Sequence, residues 1–566
     1  MRFAIQRVIH TPFCNALCVF CFFIAGISGV YGTELRVNRL FADHMVLQRD
    51  RPLPVWGEAK AGEKVSVNLG GQSQSTQADA NGHWRVELPP MAASAVPVEL
   101  LVKGEAKSLQ IPGILVGDVW LCGGDFGVFY EMFKATAASK EIPAANHPQL
   151  RLFKVPKKSS NTPLEETDGE WRVCAPETVT DFSALAYFFG KALQRDLNVP
   201  IGLIDASYPY SYARGWMPAR AFAAQPELAT PRRKMESWDP TTEAGKEALA
   251  TTITQVEAWL PLAEEAFHKQ QPIPPQPRLP APIPADDSNY RSNGELSLNY
   301  NAMINPLVGF PLRGMIWSLG ENGCLELGIY RFYLQALWQS WRQAWGQGDF
   351  PIYVELLPRM GKPDESPGKV GYYGLMREQQ MLALDLVPNT AAAVTYDVSD
   401  YVADERNRQD AGERLARLAL AGEYGKPGEG SGPQFQEHAF KDGAAIVTFT
   451  HIGSGLMAGK KDGLKPVQEL ANGSLKGFLI AGEDQKWHHA EAKIVGEKVI
   501  VSNSQVPHPV AVRYAFVEDP GTANLYNREG LPALPFRTDQ WALPQARQSA
   551  PWRWETQPVL ITTNLR

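Results

Sequence analysis

Residues 114–126 read Ile114-Leu115-Val116-Gly117-Asp118-Val119-Trp120-Leu121-Cys122-Gly123-Gly124-Asp125-Phe126. An apolar, strand-like run over 114–122 gives way to two glycines and a carboxylate, which mark a turn at its end. Similar runs return at 201–207, 314–318, 351–357 and 391–397. Between them the apolar spacing is helical, over 184–197, 330–345, 373–386 and 407–421. Strands alternating with helices predict an α/β fold with a parallel sheet covered on both faces. In such sheets ligands bind in the crevice beyond the carboxyl ends of the strands. The segments following 122, 207, 318 and 397 are therefore where chemistry is to be sought.

Working outward, residues 33–112 carry short alternating segments such as 64–69 and 83–88, separated by turn signals at Ala80-Asn81-Gly82 and Leu88-Pro89-Pro90. This predicts an N-terminal β-sandwich. His44 lies in it, and a lone histidine in strand-rich sequence is read as structural. The α/β domain is expected over 113–431. It is interrupted at about 218–293 by a polar helical segment, 243–269, and a proline-rich one, 271–284, that favours an extended, solvated connector. From 432 to 566 β-like segments return, among them 444–450, 498–502 and 511–516, and predict a C-terminal β-rich domain.

The 566 residues, 44% hydrophobic and 20% charged, suffice for several packed domains. A net charge of −6 with scattered Lys and Arg offers no basic field for phosphates, which excludes nucleic acid as an expected partner. Arg2 and Arg7 precede an apolar stretch at 13–27 and small residues up to Gly32, the layout of a signal peptide over 1–32. A secreted or periplasmic protein follows, with no membrane span after cleavage. Cys122, Cys174 and Cys324 then remain, without metal-ligand spacing. No metal cluster, phosphate loop or flavin signature stands out, and no cofactor is expected.

The run Gly117 to Phe126 resembles the nucleophile motif of the sialate O-acetylesterases, carbohydrate esterases of the SGNH hydrolase group, which typically reads Gly-Glu-Val-Trp-Leu-Cys-Ser-Gly-Gln-Ser. Leu40 to Arg49, Pro54-Val55-Trp56-Gly57, Trp345 to Pro351 and Asn524 to Pro532 extend the resemblance almost from end to end. It implies a three-layer, flavodoxin-like sheet domain and an acetyl-ester chemistry run by Ser, His, Asp and oxyanion donors. It also sets Phe126 at the serine's place and Asp125 where the family has Gln. The segment Ile201 to Ser211 resembles one ending in Trp-Gly-Gly-Thr, with Pro209 and Tyr210 over the glycines. Pro209 has no N–H to offer an oxyanion, and neither residue freely adopts glycine's conformations. Gly314 to Gly323 resembles Gly-Val-Ile-Trp-Tyr-Gln-Gly-Glu-Ser-Asn, so Gly323 replaces the donor Asn, while Asn322 stands one place earlier beside Glu321. Asp397-Val398-Ser399-Asp400 leads to Val402-Ala403-Asp404, where the family carries Asp-Ile-His-Pro; no His occurs between His268 and His438.

Three readings follow from this resemblance and these residues. The first is a secreted, non-catalytic member with no retained catalytic residue that binds glycans, acetylated or not, or serves as a scaffold. The second is a carboxylate-based glycan enzyme using Asp125, Glu321, Asp400 or Asp404 in the same crevice, which requires two carboxyls about 5–10 Å apart. The third is an active carbohydrate O-acetyl ester hydrolase working through other residues, with Ser207, Ser211 and Ser318 as the serines within reach. Cys122 has no basic neighbour in sequence, so its thiol is expected to stay protonated.

Overall fold

A computed structural model describes residues 34–279, 295–319, 327–359, 366–398, 407–471 and 473–543. Its centre is strand β1 (Ser108–Gly124), whose second half is buried throughout. Around it run β2 (His147–Lys154), β3 (Trp171–Cys174), β4 (Ile201–Ser207), β5 (Gly314–Ser318), β6 (Ile352–Glu355) and β7 (Thr390–Ala393), in the order β3-β2-β4-β1-β5-β6-β7. All neighbours are parallel except β3, which returns antiparallel on β2. The strands of 46–48, 64–69, 72–77 and 94–103 join the same eleven-stranded sheet through the first half of β1. The expectation of a purely parallel sheet is thus corrected to a mixed one. Strand β3 turns back on β2 after the loop 155–170, and 94–103 turns back into β1 after 104–107, connections without a crossover helix that permit antiparallel pairing, whereas 46–48 lies parallel to β1.

Successive residues of a strand point to opposite faces, and the core divides accordingly. Trp120, Cys122, Leu203 and Ile316 pack with helices α2 (Ala184–Leu197) and α6 (Arg408–Gly422). Val119, Leu121, Ile204 and Trp317 pack on the other side with α4 (Tyr330–Trp345) and α5 (Gly371–Leu386). The helices stop where sequence dictates. Ser183 Oγ accepts the Ala186 N–H at the start of α2, left-handed Asn198 closes it, and left-handed Gly346 closes α4. In the insertion the polar segment forms α3 (Glu243–His268), and 271–279 has no regular structure. Beyond 432 the strands form separate sheets of four, three and four strands. No helix of the described residues is long and apolar enough to cross a membrane.

Candidate functional site

Parallel pairing puts the strand ends in one row. Ser207 of β4 lies beside Gly124 of β1, Gly124 beside Ser318 of β5, Ser318 beside Glu355 of β6, and Glu355 beside Ala393 of β7. The segments singled out in the sequence leave the sheet from this row, so the loops bearing Asp125, Phe126, Pro209 and Tyr210 converge over its middle. The loop after β7 carries Asp397, which is gripped by Arg414 at 2.6 and 2.7 Å and by the Tyr526 hydroxyl at 3.0 Å. Glu321, Asn322, Asp400, Val402 and Asp404 lie outside the described residues, as do Gly323 and Cys324.

The first loop lies hard against β5. Gly124 has φ +126°, and a Cβ there would meet the Ser318 carbonyl oxygen at 1.8 Å, so both the turn and the contact require glycine. The Asp125 N–H donates to that carbonyl at 2.7 Å, and the Tyr208 N–H donates to the Gly124 carbonyl at 2.9 Å. Asp125, 0% exposed, heads the single-turn helix α1 (Phe126–Phe129) without capping it through its side chain. The Phe126 ring is half-buried and meets Tyr210 edge-on, with centroids 4.6 Å apart and planes at 86°.

Tyr210 takes a left-handed, glycine-like backbone at φ +60°, a conformation that a tyrosine does not adopt freely, and is 39% exposed. That conformation costs about 1–3 kcal/mol for a non-glycine residue. The ring pairing with Phe126 returns about 0.5–1.5 kcal/mol of it.

Under the loops runs a polar layer that sequence reading missed. Ser318 Oγ donates to Glu355 Oε2 at 2.7 Å. Arg408 Nη1 donates to both Glu355 oxygens at 3.0 Å and to the Gly127 carbonyl at 3.3 Å. Glu355 and Arg408 are each 1% exposed, so the charges are compensated by geometry and not by water. A Cβ on Gly127 would reach Ser318 Oγ at 1.9 Å, which is how closely α1 rests on this layer. The signal for it was a carboxylate closing an otherwise apolar strand, at Glu355 and again at Asp205.

Asp205, 4% exposed, accepts from Ser207 Oγ at 2.5 Å and from the Ser207 N–H at 3.1 Å. Burial pushes its carboxyl up to about 6, against the opposing pull of Ser207, Lys154 and Lys157. Lys157 stacks 3.9 Å from the Phe129 centroid, and burial and then Lys154 lower its ammonium.

None of the three serines singled out in the sequence is arranged as a nucleophile. Ser207 is committed to Asp205, Ser318 to Glu355, and Ser211 Oγ accepts the Trp216 indole N–H at 2.9 Å; all three are buried. Among the described residues no histidine bonds to any of them. His147 faces the Tyr187 hydroxyl at 3.3 Å and His451 faces Glu429 at 3.1 Å. Burial, then Asp205, holds the Cys122 thiol well above the ordinary range, so it stays protonated. Away from the crevice, Glu58, His83 and Glu165 bring ligand atoms within 4.8 Å of one another on the surface, but Glu58 is already held by Arg36 Nε and Nη2.

No family model matches the chain. It is similar to the sialate O-acetylesterase of mouse, 25% identical over 91% of this chain and 96% of that protein, and to the human one, 23% identical over 70% and 72%. Among solved structures, a carbohydrate acetylesterase from Xanthomonas citri is 33% identical, covers 89% of this chain and all of its own, and superposes with a TM-score of 0.73.

Proposed function

The chain belongs to the sialate O-acetylesterase family, and from that premise we propose that it is an exported member whose crevice binds acetylated glycans and whose serine mechanism has been lost. The observation that carries the reading is Phe126, which the motif resemblance sets in the nucleophile's place. It presents an aromatic ring, paired with Tyr210, where a working site needs a hydroxyl. A serine also needs a base to take its proton, and the buried serines of the crevice have carboxylates and an indole as partners instead. The layout proposed is a signal peptide over 1–32, a β-sandwich over 33–112, a three-layer SGNH domain over 113–431 and a β-rich domain over 432–566. Helices on both faces of the central sheet and the similarity to a carbohydrate acetylesterase support it.

The test is acetate release from 4-nitrophenyl acetate, O-acetylated sialosides and acetylxylan, compared with heat-killed protein. Background rates are expected for the native protein and for Phe126→Ser, because groups that act as a unit are strongly non-additive and one reversion restores no base. Turnover above roughly 1 s⁻¹, ordinary for an enzyme, overturns the reading. Binding is tested separately: acetyl methyl protons of an acetylated xylotriose should receive magnetisation from the protein, and no transfer rejects the binding half. Amino-terminal sequencing of the native protein should begin near Thr33; Met1 rejects export.

A further inference from the structure

On the C-terminal sheet built from Trp487–His489, Phe478–Ala481, Ala511–Tyr514 and Phe536–Arg537 lies a depression of about 400 Å³, lined by Glu483, Val510, Thr538, Asp539, Gln540 and Trp541. That volume falls within the roughly 300–1,000 Å³ of small-molecule sites. Two of its lining residues, Asp539 and Trp541, are held by neighbours outside the lining. Arg513 donates to both Asp539 oxygens at 2.8 Å while its guanidinium stacks 4.0 Å from the Trp487 centroid. Trp541 meets Trp487 at 5.5 Å and 61°, and Arg537 fixes the Trp541 carbonyl at 3.2 Å. The half-buried indole of Trp541 is thus held in one orientation at the edge of the depression, beside the partly exposed Val510.

The remaining groups call for hydroxyls. Glu483 and Gln540 are exposed and make no hydrogen bond or ion pair among the described residues, and Thr538 Oγ1 accepts the Val512 N–H at 3.0 Å, which leaves its own proton to donate. Asp539 is neutralised by Arg513 and Arg537, so Glu483 is the uncompensated charge of the lining. An apolar ligand makes no use of the acid and amide, and an anionic one meets Glu483. A neutral ring with polarised C–H groups on one face and hydroxyls on its rim satisfies indole, acid and amide together. We propose that this depression is a second carbohydrate site, separate from the crevice, that takes neutral pyranosides.

The inference goes beyond the crevice reading and fails or stands apart from it. Calorimetric titration of the whole protein uses unacetylated xylohexaose, cellohexaose and, as the anionic probe, sialyllactose. At least one neutral probe should bind, at least about tenfold more tightly than sialyllactose. Trp541→Ala should weaken that binding about tenfold, as loss of a stacking contact does, and Trp541→Phe by less. Tyr210→Ala, in the crevice, should leave it unchanged, and melting curves should show the variants folded. If Trp541→Ala perturbs folding, Gln540→Ala and Glu483→Ala, both at exposed positions, carry the test and should each weaken binding several-fold. Absence of binding to both neutral probes, binding indifferent to these substitutions, or loss on Tyr210→Ala overturns the proposal.

Discussion

Asp205 sits where a carboxylate is costly, at the carboxyl end of a buried strand, and burial raises it from 3.8 to about 6. Between those values the folded chain holds more of this proton than the unfolded chain does, so stability falls as pH rises through that window. The full cost, roughly 3 kcal/mol at 1.36 kcal/mol per unit, stands above it. Asp205→Asn keeps an oxygen for Ser207 and removes the charge. It should raise stability at pH 7 by up to about 3 kcal/mol and flatten the decline between pH 4 and 6 in denaturant titrations; an unchanged pH profile rejects the assignment. A few residues away, Tyr210 combines left-handed strain with its ring contact to Phe126. Tyr210→Gly loses about as much contact as it relieves strain and should shift stability by less than about 1 kcal/mol. Phe126→Ala removes a half-buried ring without relief and should cost about 1–2 kcal/mol by thermal melts.

Helix α6 is fastened to the sheet end by its first residue, Arg408, across 53 positions of sequence from Glu355. Arg408→Met leaves Glu355 and Ser318 facing each other in a dry layer, and breaking one side of a buried pair typically costs about 3–5 kcal/mol. Chemical denaturation should show that loss, and Glu355→Gln combined with Arg408→Met should recover part of it, because no charge is then stranded. This pairing was not legible in the sequence. Both residues end recognisable elements, but nothing local says that a strand's last carboxylate and a helix's first guanidinium meet. The elements themselves were largely legible. Expected spans 184–197, 330–345, 201–207 and 314–318 coincide with α2, α4, β4 and β5 because caps and apolar runs agree there. Strand β2 escaped notice because Pro148 and Arg151 interrupt its apolar pattern, although Arg151 is buried; β3 has only four residues.

For the whole molecule, β1 passes without a break through position 112, where composition suggested a boundary, so four N-terminal strands share one sheet with the α/β strands, while Arg36–Val37, Leu53–Glu58 and His83–Leu88 form a sheet of their own. Composition marks a change of pattern, whereas hydrogen-bond continuity belongs to the backbone and leaves no trace in side-chain type. The C-terminal sheets are tied on differently. Arg377 of α5, buried, donates to the carbonyls of Leu357 and Pro358 at 3.4 and 3.1 Å and to those of Val517 and Glu518 at 2.6 and 2.8 Å. Burial lowers its guanidinium to about 10, so even this clamp remains charged at neutral pH. Arg359 to Asp519 at 2.7 Å and Arg537 to Glu378 at 2.5 Å repeat the tie nearby. Arg377→Met keeps the length and removes the donors, stranding carbonyls at about 1–3 kcal/mol each where water cannot reach them. Calorimetry of the native protein should show one transition, and of Arg377→Met a lower and divided one, with the C-terminal sheets melting first. Leu357 and Pro358 lie two and three residues beyond Glu355, the last residue of its strand, which holds Arg408. Hydrogen exchange at 354–357 should therefore quicken in the same variant, and if it does not, the clamp fastens the C-terminal sheets without supporting the crevice.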